Sequence, residues 1–225
     1  MIVLAIDTAT PAITAGIVSL DAGTPQTLAQ RVTVNARAHG ELLTPQVQQV
    51  LAEANVQLGG VDAIVVGAGP GPFTGLRVGM VTAAAFGDAL GIPVHPVCSL
   101  DAIAADVAGT EPFAVVTDAR RREVYWAAYD PTGERLDGPT VARPAEILDR
   151  LTELGVRALA GEGATLYADV LGLPVVEPQY PSPQGLVTAA SNALRTGVAP
   201  APLTPLYLRR PDAMEAVPRK QVSRL

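Results

Sequence analysis

Short apolar runs and segments of helical spacing alternate along the first 100 residues. Three strand-like runs separated by turns predict an antiparallel meander over residues 2–6, 13–20 and 27–34. Apolar residues then recur at helical spacing over residues 41–55, with Pro45 near the first turn, and again over residues 72–90. Short buried strands are predicted at 61–67 and 93–97. The resulting order β-β-β-α-β-α-β is typical of a ribonuclease-H-like unit.

The second half of the chain repeats this pattern in a weaker form. Strands are predicted at 113–117 and 124–129, followed by a hairpin turn at 131–133. Helical stretches near 144–153, 163–171 and 184–196 are separated by short apolar runs at 156–160 and 175–177, and a last strand is predicted at 206–208. We therefore expect an N-terminal domain at 1–105, a degenerate second domain at 106–200 and a largely mobile C-terminal segment at 201–225.

Composition narrows the class of protein. With 225 residues, 48% of them hydrophobic, the chain is long and apolar enough to fold as one large or two small domains. Cys98 is the single cysteine, so intrachain disulfides and a thiolate-rich zinc site are excluded. No apolar run approaches the roughly 18 residues of a membrane span, and no basic residue precedes the N-terminal apolar run. We expect a cytoplasmic protein with no membrane contact.

The charge pattern argues against a nucleic-acid-binding face. The net charge is -6, and aromatic residues make up only 4% of the chain. Arg120, Arg121 and Arg122 form one basic turn, but Asp118 and Glu123 flank it and reduce its local charge. If RNA is involved, a partner is expected to make most of the contacts.

A glycine-rich segment, Gly67-Ala-Gly-Pro-Gly-Pro-Phe-Thr-Gly-Leu-Arg77, joins a predicted strand to a predicted helix. Such a turn can cradle a phosphate at a helix N-terminus, or it can be only a tight connection. The absence of a lysine from the segment favours the second interpretation. Small residues then recur every four positions, at Gly75, Gly79, Ala83 and Gly87. This stripe can pack against the protein's own sheet or against a partner helix.

Four segments in order resemble the TsaB (YeaZ) family of tRNA threonylcarbamoyladenosine biosynthesis proteins. They are the N-terminal Met-Ile-Val-Leu-Ala-Ile-Asp-Thr-Ala-Thr, the glycine-rich segment, Asp118-Ala-Arg-Arg-Arg-Glu-Val-Tyr125 and Pro205-Leu-Tyr-Leu-Arg209. The most specific is the glycine-phenylalanine motif, which comprises Gly69, Pro70, Gly71, Phe73, Thr74, Gly75 and Arg77. The resemblance implies an α/β protein with the actin-like ATPase (ASKHA) fold, built from two tandem ribonuclease-H-like domains with mixed sheets.

The resemblance also implies a non-catalytic partner of TsaD, the related subunit that transfers threonylcarbamoyl to adenosine beside the tRNA anticodon. In TsaD-like relatives, two histidines four residues apart bind a metal after the strand that corresponds to 92–97. Ser99 and Ile103 occupy those positions here, and Ile103 supplies no ligand atom. We therefore expect no catalytic residue, metal or cofactor. This argument also weighs against a metallopeptidase.

Nucleotide-binding loops are also eroded in the sequence. Actin-like kinases have glycines directly after the first-strand aspartate, whereas the segment from Asp7 to Pro11 has none, and Glu162 places a negative charge in the second glycine turn. The residual nucleotide candidates are Asp7, Thr8, Thr10, Gly161 and Gly163. The alternative function is an actin-like small-molecule kinase or a nucleotide-binding protein.

The two first-domain helices are predicted to form the partner surface, because they carry more apolar positions than one buried stripe needs. The predicted contact residues are Leu42, Leu43, Val47, Val50, Leu51, Gly75, Leu76, Gly79, Met80 and Ala83. They would form a four-helix contact with TsaD or, competitively, a homodimer. The ATPase TsaE is expected in the larger complex, and tRNA is expected to be reached mainly through that complex. In the alternative, both helix faces are buried within the monomer.

Overall fold

The β-branched runs at the start of the chain pair into a five-stranded mixed sheet in the computed structural model, which describes residues 1–21 and 23–209. Its strands are β1 (Ile2–Asp7), β2 (Ala12–Ser19), β3 (Gln26–Val34), β4 (Ala63–Gly67) and β5 (Val94–Val97). They lie in the order β3-β2-β1-β4-β5, with β4 and β5 parallel to β1 and the other pairs antiparallel. The predicted order of elements is thereby confirmed.

A second, four-stranded sheet follows in the order β8-β7-β6-β9. Its strands are β6 (Phe113–Asp118), β7 (Val124–Tyr129), β8 (Arg135–Ala142) and β9 (Ala158–Ala160). Where a fifth strand would stand, Val175 makes a single parallel bridge to Leu159. The second sheet is thus a shortened version of the first, as the weaker sequence pattern predicts.

Helices cover both faces of the first sheet. In chain order they are α1 (His39–Glu53), α2 (Phe73–Leu90), α3 (Ser99–Ala104), α4 (Leu148–Glu153), α5 (Glu162–Leu166), α6 (Ala168–Leu171) and α7 (Pro183–Thr196). Short 3-10 turns lie at Leu58–Gly60 and Pro144–Ile147. Helices α1 and α2 pack on one face through a core that includes Val47 and Leu76, and α7 packs on the other face through Leu186 and Val187.

Two features of the C-terminal half differ from the sequence prediction. No strand forms at 206–208, because this segment makes individual contacts such as the Leu206 N–H to Ala68 carbonyl bond of 2.8 Å instead of pairing with a sheet. Helix α7 lies in the segment assigned to the second domain, yet it packs against the first sheet. The chain therefore returns to its first unit after completing the second. The C-terminal segment was predicted to be largely mobile, and its residues 210–225 lie outside those that the structure describes.

The small-residue stripe of α2 faces the protein's own first sheet. The Thr8 hydroxyl donates to the Gly75 carbonyl at 2.7 Å and accepts from the Gly79 N–H at 2.9 Å. An uninterrupted helix would join these two backbone groups directly. A Cβ at Gly79 would lie 2.5 Å from the Thr8 hydroxyl oxygen. The glycines of α2 therefore admit Thr8 into the helix, which decides between the two interpretations of the stripe.

Within residues 1–21 and 23–209, no helix combines the length and the apolar character that crossing a membrane requires.

Candidate functional site

The glycine-phenylalanine motif packs directly on the loop between β1 and β2. A Cβ at Gly71 would lie 2.1 Å from the Ala9 carbonyl oxygen, and one at Gly67 would lie 1.7 Å from the Asp7 carboxylate. Gly69 has φ +94°, a conformation that side chains rarely adopt. The motif thus covers the loop in which an actin-like kinase would hold phosphate. Asp7, together with Thr8 and Thr10 of this loop, is buried.

Both oxygens of the Asp7 carboxyl group accept hydrogen bonds from groups of the protein. One oxygen accepts from the Ala9 N–H at 2.8 Å, and the other accepts from the Ser99 hydroxyl at the start of α3. Burial raises the pKa of Asp7 to about 6, against the opposing effect of these hydrogen bonds. Its two hydrogen bonds therefore hold the strand end, the loop and α3 together.

Serine, histidine and aspartate meet here in a way that the sequence did not reveal. Ser99 donates to Asp7, while the His39 Nε2 donates to the Thr10 carbonyl at 2.9 Å. The serine hydroxyl has no histidine as its hydrogen-bond acceptor, and both Asp7 and Ser99 are inaccessible to solvent. A nucleophilic serine needs a neighbouring base and access to substrate. The cluster is therefore built to support structure.

The second glycine turn, Gly161 to Gly163, is shaped by close packing on β6. Gly161 has φ +91°, and a Cβ there would lie 2.3 Å from the Val116 carbonyl oxygen. Between the glycines, one Glu162 carboxyl oxygen accepts from the Asp118 N–H at 3.2 Å. Burial, with smaller contributions from the charges of Asp118 and Asp7, raises the pKa of Glu162 to about 8. The carboxyl group thus accepts from a backbone donor at the end of β6, and its ionised form would repel phosphate.

The two positions that correspond to metal ligands in TsaD-like proteins do not fit a metal ion. Ser99 donates its hydroxyl proton to Asp7, and Ile103 packs in the core between α3 and the second sheet. Over the described part of the chain, no group of three histidine, cysteine, aspartate or glutamate side chains is arranged to hold a metal. The remaining cysteine, Cys98, is buried, and burial raises the pKa of its thiol, which disfavours the reactive thiolate.

The residues predicted to form the partner surface lie mainly in the core, which corrects that prediction. All except Leu42 are buried between the two helices and the first sheet: Leu43, Val47, Val50, Leu51, Gly75, Leu76, Gly79, Met80 and Ala83. Leu42 is only partly buried. The extra apolar positions are accommodated because each helix contacts both the sheet and its neighbouring helix. The alternative interpretation, burial within the monomer, holds for these side chains.

A different set of side chains faces outward from α1 and α2. On α2, Val81 is 66% exposed and lies one turn from the exposed Ala85. On α1, the exposed residues Pro45, Gln48 and Ala52 follow helical spacing. We call these exposed positions of the two helices, Pro45, Gln48, Ala52, Val81 and Ala85, the two-helix face.

The exposed part of the glycine-phenylalanine motif contacts the C-terminal segment. The Phe73 and Tyr207 rings stack with centroids 5.4 Å apart, and the Arg77 guanidinium lies 3.7 Å from the Phe73 centroid. Arg77 also donates through Nε to the Tyr207 hydroxyl at 2.7 Å. Two residues on, Arg209 pairs with Glu123 at 2.9 Å. The glycine-phenylalanine motif and the segment at 205–209, which are distant in sequence, are therefore in direct contact. Arg209 connects them to Glu123, directly before β7 of the second sheet.

Comparison with known proteins gives consistent matches along most of the chain. The family model described as TsaD, tRNA N6-adenosine threonylcarbamoyltransferase, matches residues 27–194. Over 94% of the present chain, the sequence is 57% identical to an uncharacterized protein of Mycobacterium leprae. The present chain covers only 56% of the length of that relative. It is 28% identical to the tRNA threonylcarbamoyladenosine biosynthesis protein TsaB of Escherichia coli, covering 98% of this chain and 100% of that protein.

The fold is matched by a solved structure. The crystal structure of a Pseudomonas aeruginosa protein with similarity to the peptidase YeaZ superposes with a TM-score of 0.76 at 30% identity. The match covers 92% of this chain and 99% of that one. The arrangement of two mixed sheets with shared helices is therefore that of a known protein over almost its full length.

Proposed function

The chain belongs to the TsaB (YeaZ) family and has its actin-like fold, and on that premise we propose that it is the non-catalytic partner of a TsaD subunit. In this role it supports formation of N6-threonylcarbamoyladenosine beside the anticodon of tRNAs that read codons beginning with A. TsaD performs the transfer, and the present chain contributes a docking surface. A cytoplasmic location is part of the proposal, because tRNA modification requires access to tRNA.

The geometry around Asp7 carries the non-catalytic part of the proposal. In a transferase, this end of β1 would face substrate, whereas here Asp7 is fully buried and hydrogen-bonded to Ser99 and Ala9. Ile103, in the position of a metal ligand, is also fully buried. A side chain can act chemically only where it meets substrate or a bound metal. These residues support the closed structure instead.

The same geometry weighs against the kinase alternative. Thr8 is engaged with the α2 backbone, Gly71 closes over the β1-β2 loop, and Glu162 takes the Asp118 N–H. Both loops that would surround the phosphates of ATP are thereby filled by the protein's own groups. This packing argues against nucleotide binding by the residues of these two loops.

The two-helix face is the proposed docking site for TsaD. Val81 exposes two thirds of its surface to solvent, and its helical neighbours Val78 and Ala85 keep part of theirs. Burial of exposed apolar side chains is the main source of affinity at the centre of a protein interface. A second copy of this chain offers the same face, so a homodimer would compete for it. TsaE and tRNA are assigned to the assembled complex.

Reconstitution of the transferase tests this proposal. The purified chain alone should form no threonylcarbamoyladenosine from tRNA and threonylcarbamoyl-adenylate, and addition of TsaD and TsaE should restore product formation. The control reaction contains TsaD and TsaE without this chain. Product formed by this chain alone, with TsaD excluded by mass spectrometry, would refute the non-catalytic role. An unchanged yield without this chain would refute the partner role.

A further inference from the structure

A cavity of about 640 Å³ lies where the two units meet. It is lined by the N-terminal part of α2, including Phe73 and Arg77, and by the turn between β6 and β7. Tyr207 and Arg209 of the C-terminal segment complete the lining. This volume is within the range of small-molecule sites. The cavity is distinct from the filled loops around Asp7 and Glu162, neither of which lines it.

The lining is cationic. Four arginines contribute to it, Arg77, Arg120, Arg121 and Arg209, and among the described residues none that lines it is acidic. Arg209 pairs with Glu123 and Arg120 with Asp118, the latter at a loose 3.8 Å. Neither Glu123 nor Asp118 is among the residues that line the cavity. Guanidinium groups bind phosphate through paired hydrogen bonds, and the cavity is suited to an anion.

Aromatic rings give the cavity a second property. Phe73 remains 52% exposed and Tyr207 43% exposed even though their rings stack on each other. Nearby, Tyr125 lines the wall from β7. Tyr207 and the Arg77 guanidinium already lie against the Phe73 ring, so a base would meet the exposed remainder of the two rings. Exposed aromatic surface held in a pocket is a stacking platform for nucleic-acid bases. Arginine and aromatic side chains together make the cavity suited to a ligand in which a planar ring is attached to an anionic group.

The turn between β6 and β7 holds its arginines in an unfavourable backbone conformation. Arg120, Arg121 and Arg122 have φ angles of +63°, +55° and +62°, in the left-handed region. Residues other than glycine adopt this region at a cost, and such positions cluster at binding sites. Arg120 and Arg121 line the cavity, so at these two positions the strained backbone places a guanidinium group on the cavity wall, which glycine could not supply.

We propose that this arginine-aromatic cavity binds one nucleotide, with its base against Phe73 and Tyr207 and its phosphate at the arginines of the β6-β7 turn. The chemistry is shared by a free nucleoside monophosphate and by one nucleotide of a single-stranded RNA segment. The proposal does not depend on the role with TsaD. It requires no metal, because the positive charge is supplied by the protein.

Calorimetric titration of the full chain tests the site with defined probes. AMP without Mg²⁺ should bind saturably, and it should bind more tightly than either adenosine or ribose 5-phosphate, because each of these lacks one half of the recognised group. A four-nucleotide oligoadenylate that binds more tightly than AMP identifies an RNA strand as the source, and the reverse order identifies a free nucleotide. ATP with Mg²⁺ should gain no affinity over AMP. Absence of saturable binding by both AMP and the oligonucleotide would overturn the proposal.

Variants assign any binding to the cavity. Phe73→Leu keeps an apolar side chain without a ring and should weaken AMP binding at least about fivefold, as expected for the loss of one stacking contact. Arg120→Gln should weaken it by a similar factor. Arg157→Gln removes the same charge from an exposed position outside the cavity and should leave affinity unchanged. If Phe73→Leu does not fold, the comparison of Arg120→Gln with the control Arg157→Gln tests whether AMP binds in the cavity. Equal affinities for the wild type and Arg120→Gln would contradict the site.

Discussion

The contact between Thr8 and the glycine stripe of α2 makes a quantitative prediction. Adding a Cβ at Gly79 places it 2.5 Å from the Thr8 hydroxyl oxygen, about 1 Å inside ordinary contact. The hydroxyl must move, and its bonds to Gly75 and Gly79 are lost at about 1 kcal/mol each. Overpacking adds about 1 kcal/mol, and the better helix propensity of alanine returns about 1 kcal/mol.

Gly79→Ala should therefore lower the free energy of unfolding by about 2 kcal/mol. For a chain of this size the melting temperature falls by roughly 4–8 °C. Thr8→Ala should also destabilise the protein. In the Thr8→Ala background, however, the Cβ at position 79 meets only the Cβ of residue 8 and Ile6 at 3.5 and 3.6 Å, which are ordinary contacts. There, Gly79→Ala should be neutral or stabilising by up to about 1 kcal/mol.

A double-mutant cycle by urea denaturation measures the coupling, which we expect to be about 2–3 kcal/mol, with the double variant more stable than the sum of the single changes. The matched control is Gly40→Ala in α1, where a Cβ meets nothing within 4 Å. This control should be neutral or slightly stabilising. The reasoning is refuted if Gly79→Ala is equally destabilising with and without the Thr8 hydroxyl, or if it leaves the melting temperature unchanged while abolishing TsaD binding.

Two further predictions concern the surface and the buried acid. Val81→Glu should leave the melting temperature within about 1 °C and weaken TsaD binding at least tenfold, whereas Val170→Glu, at an exposed valine of α6, should not affect binding; equal TsaD affinities for both variants would exclude the two-helix face. The pKa of Glu162 is raised from 4.5 to about 8, so between these values the folded state binds a proton that the unfolded chain releases. The free energy of unfolding should therefore fall as pH rises from about 5 to 8, by at most about 1.4 kcal/mol per pH unit. Glu162→Gln imitates the protonated acid and should flatten this dependence in urea titrations at pH 5 and 8, and an unchanged slope would show that Glu162 is not its source.

The sequence determined the order of the elements from β1 to β5 and the family. The continuous apolar runs of β1 and β2 follow from burial on both faces of the sheet, and the helical spacing of α2 follows from burial of one helix side; both patterns are local properties of the chain. The glycine-phenylalanine motif was recognisable for a related reason. Its glycines are imposed by close approach to the β1-β2 loop, and such a requirement restricts residue type at fixed positions.

Only the tertiary structure decided what covers each face. Helical periodicity shows that α2 has an apolar side of small residues. The same periodicity would be found whether Thr8 or a partner protein covers that side, and Thr8 is separated from Gly79 by 71 positions. The pairing of Ser99 with Asp7, the return of α7 to the first sheet and the stacking of Tyr207 on Phe73 are likewise contacts between distant segments. Their geometry depends on how whole elements pack, and no local pattern of residue types encodes it.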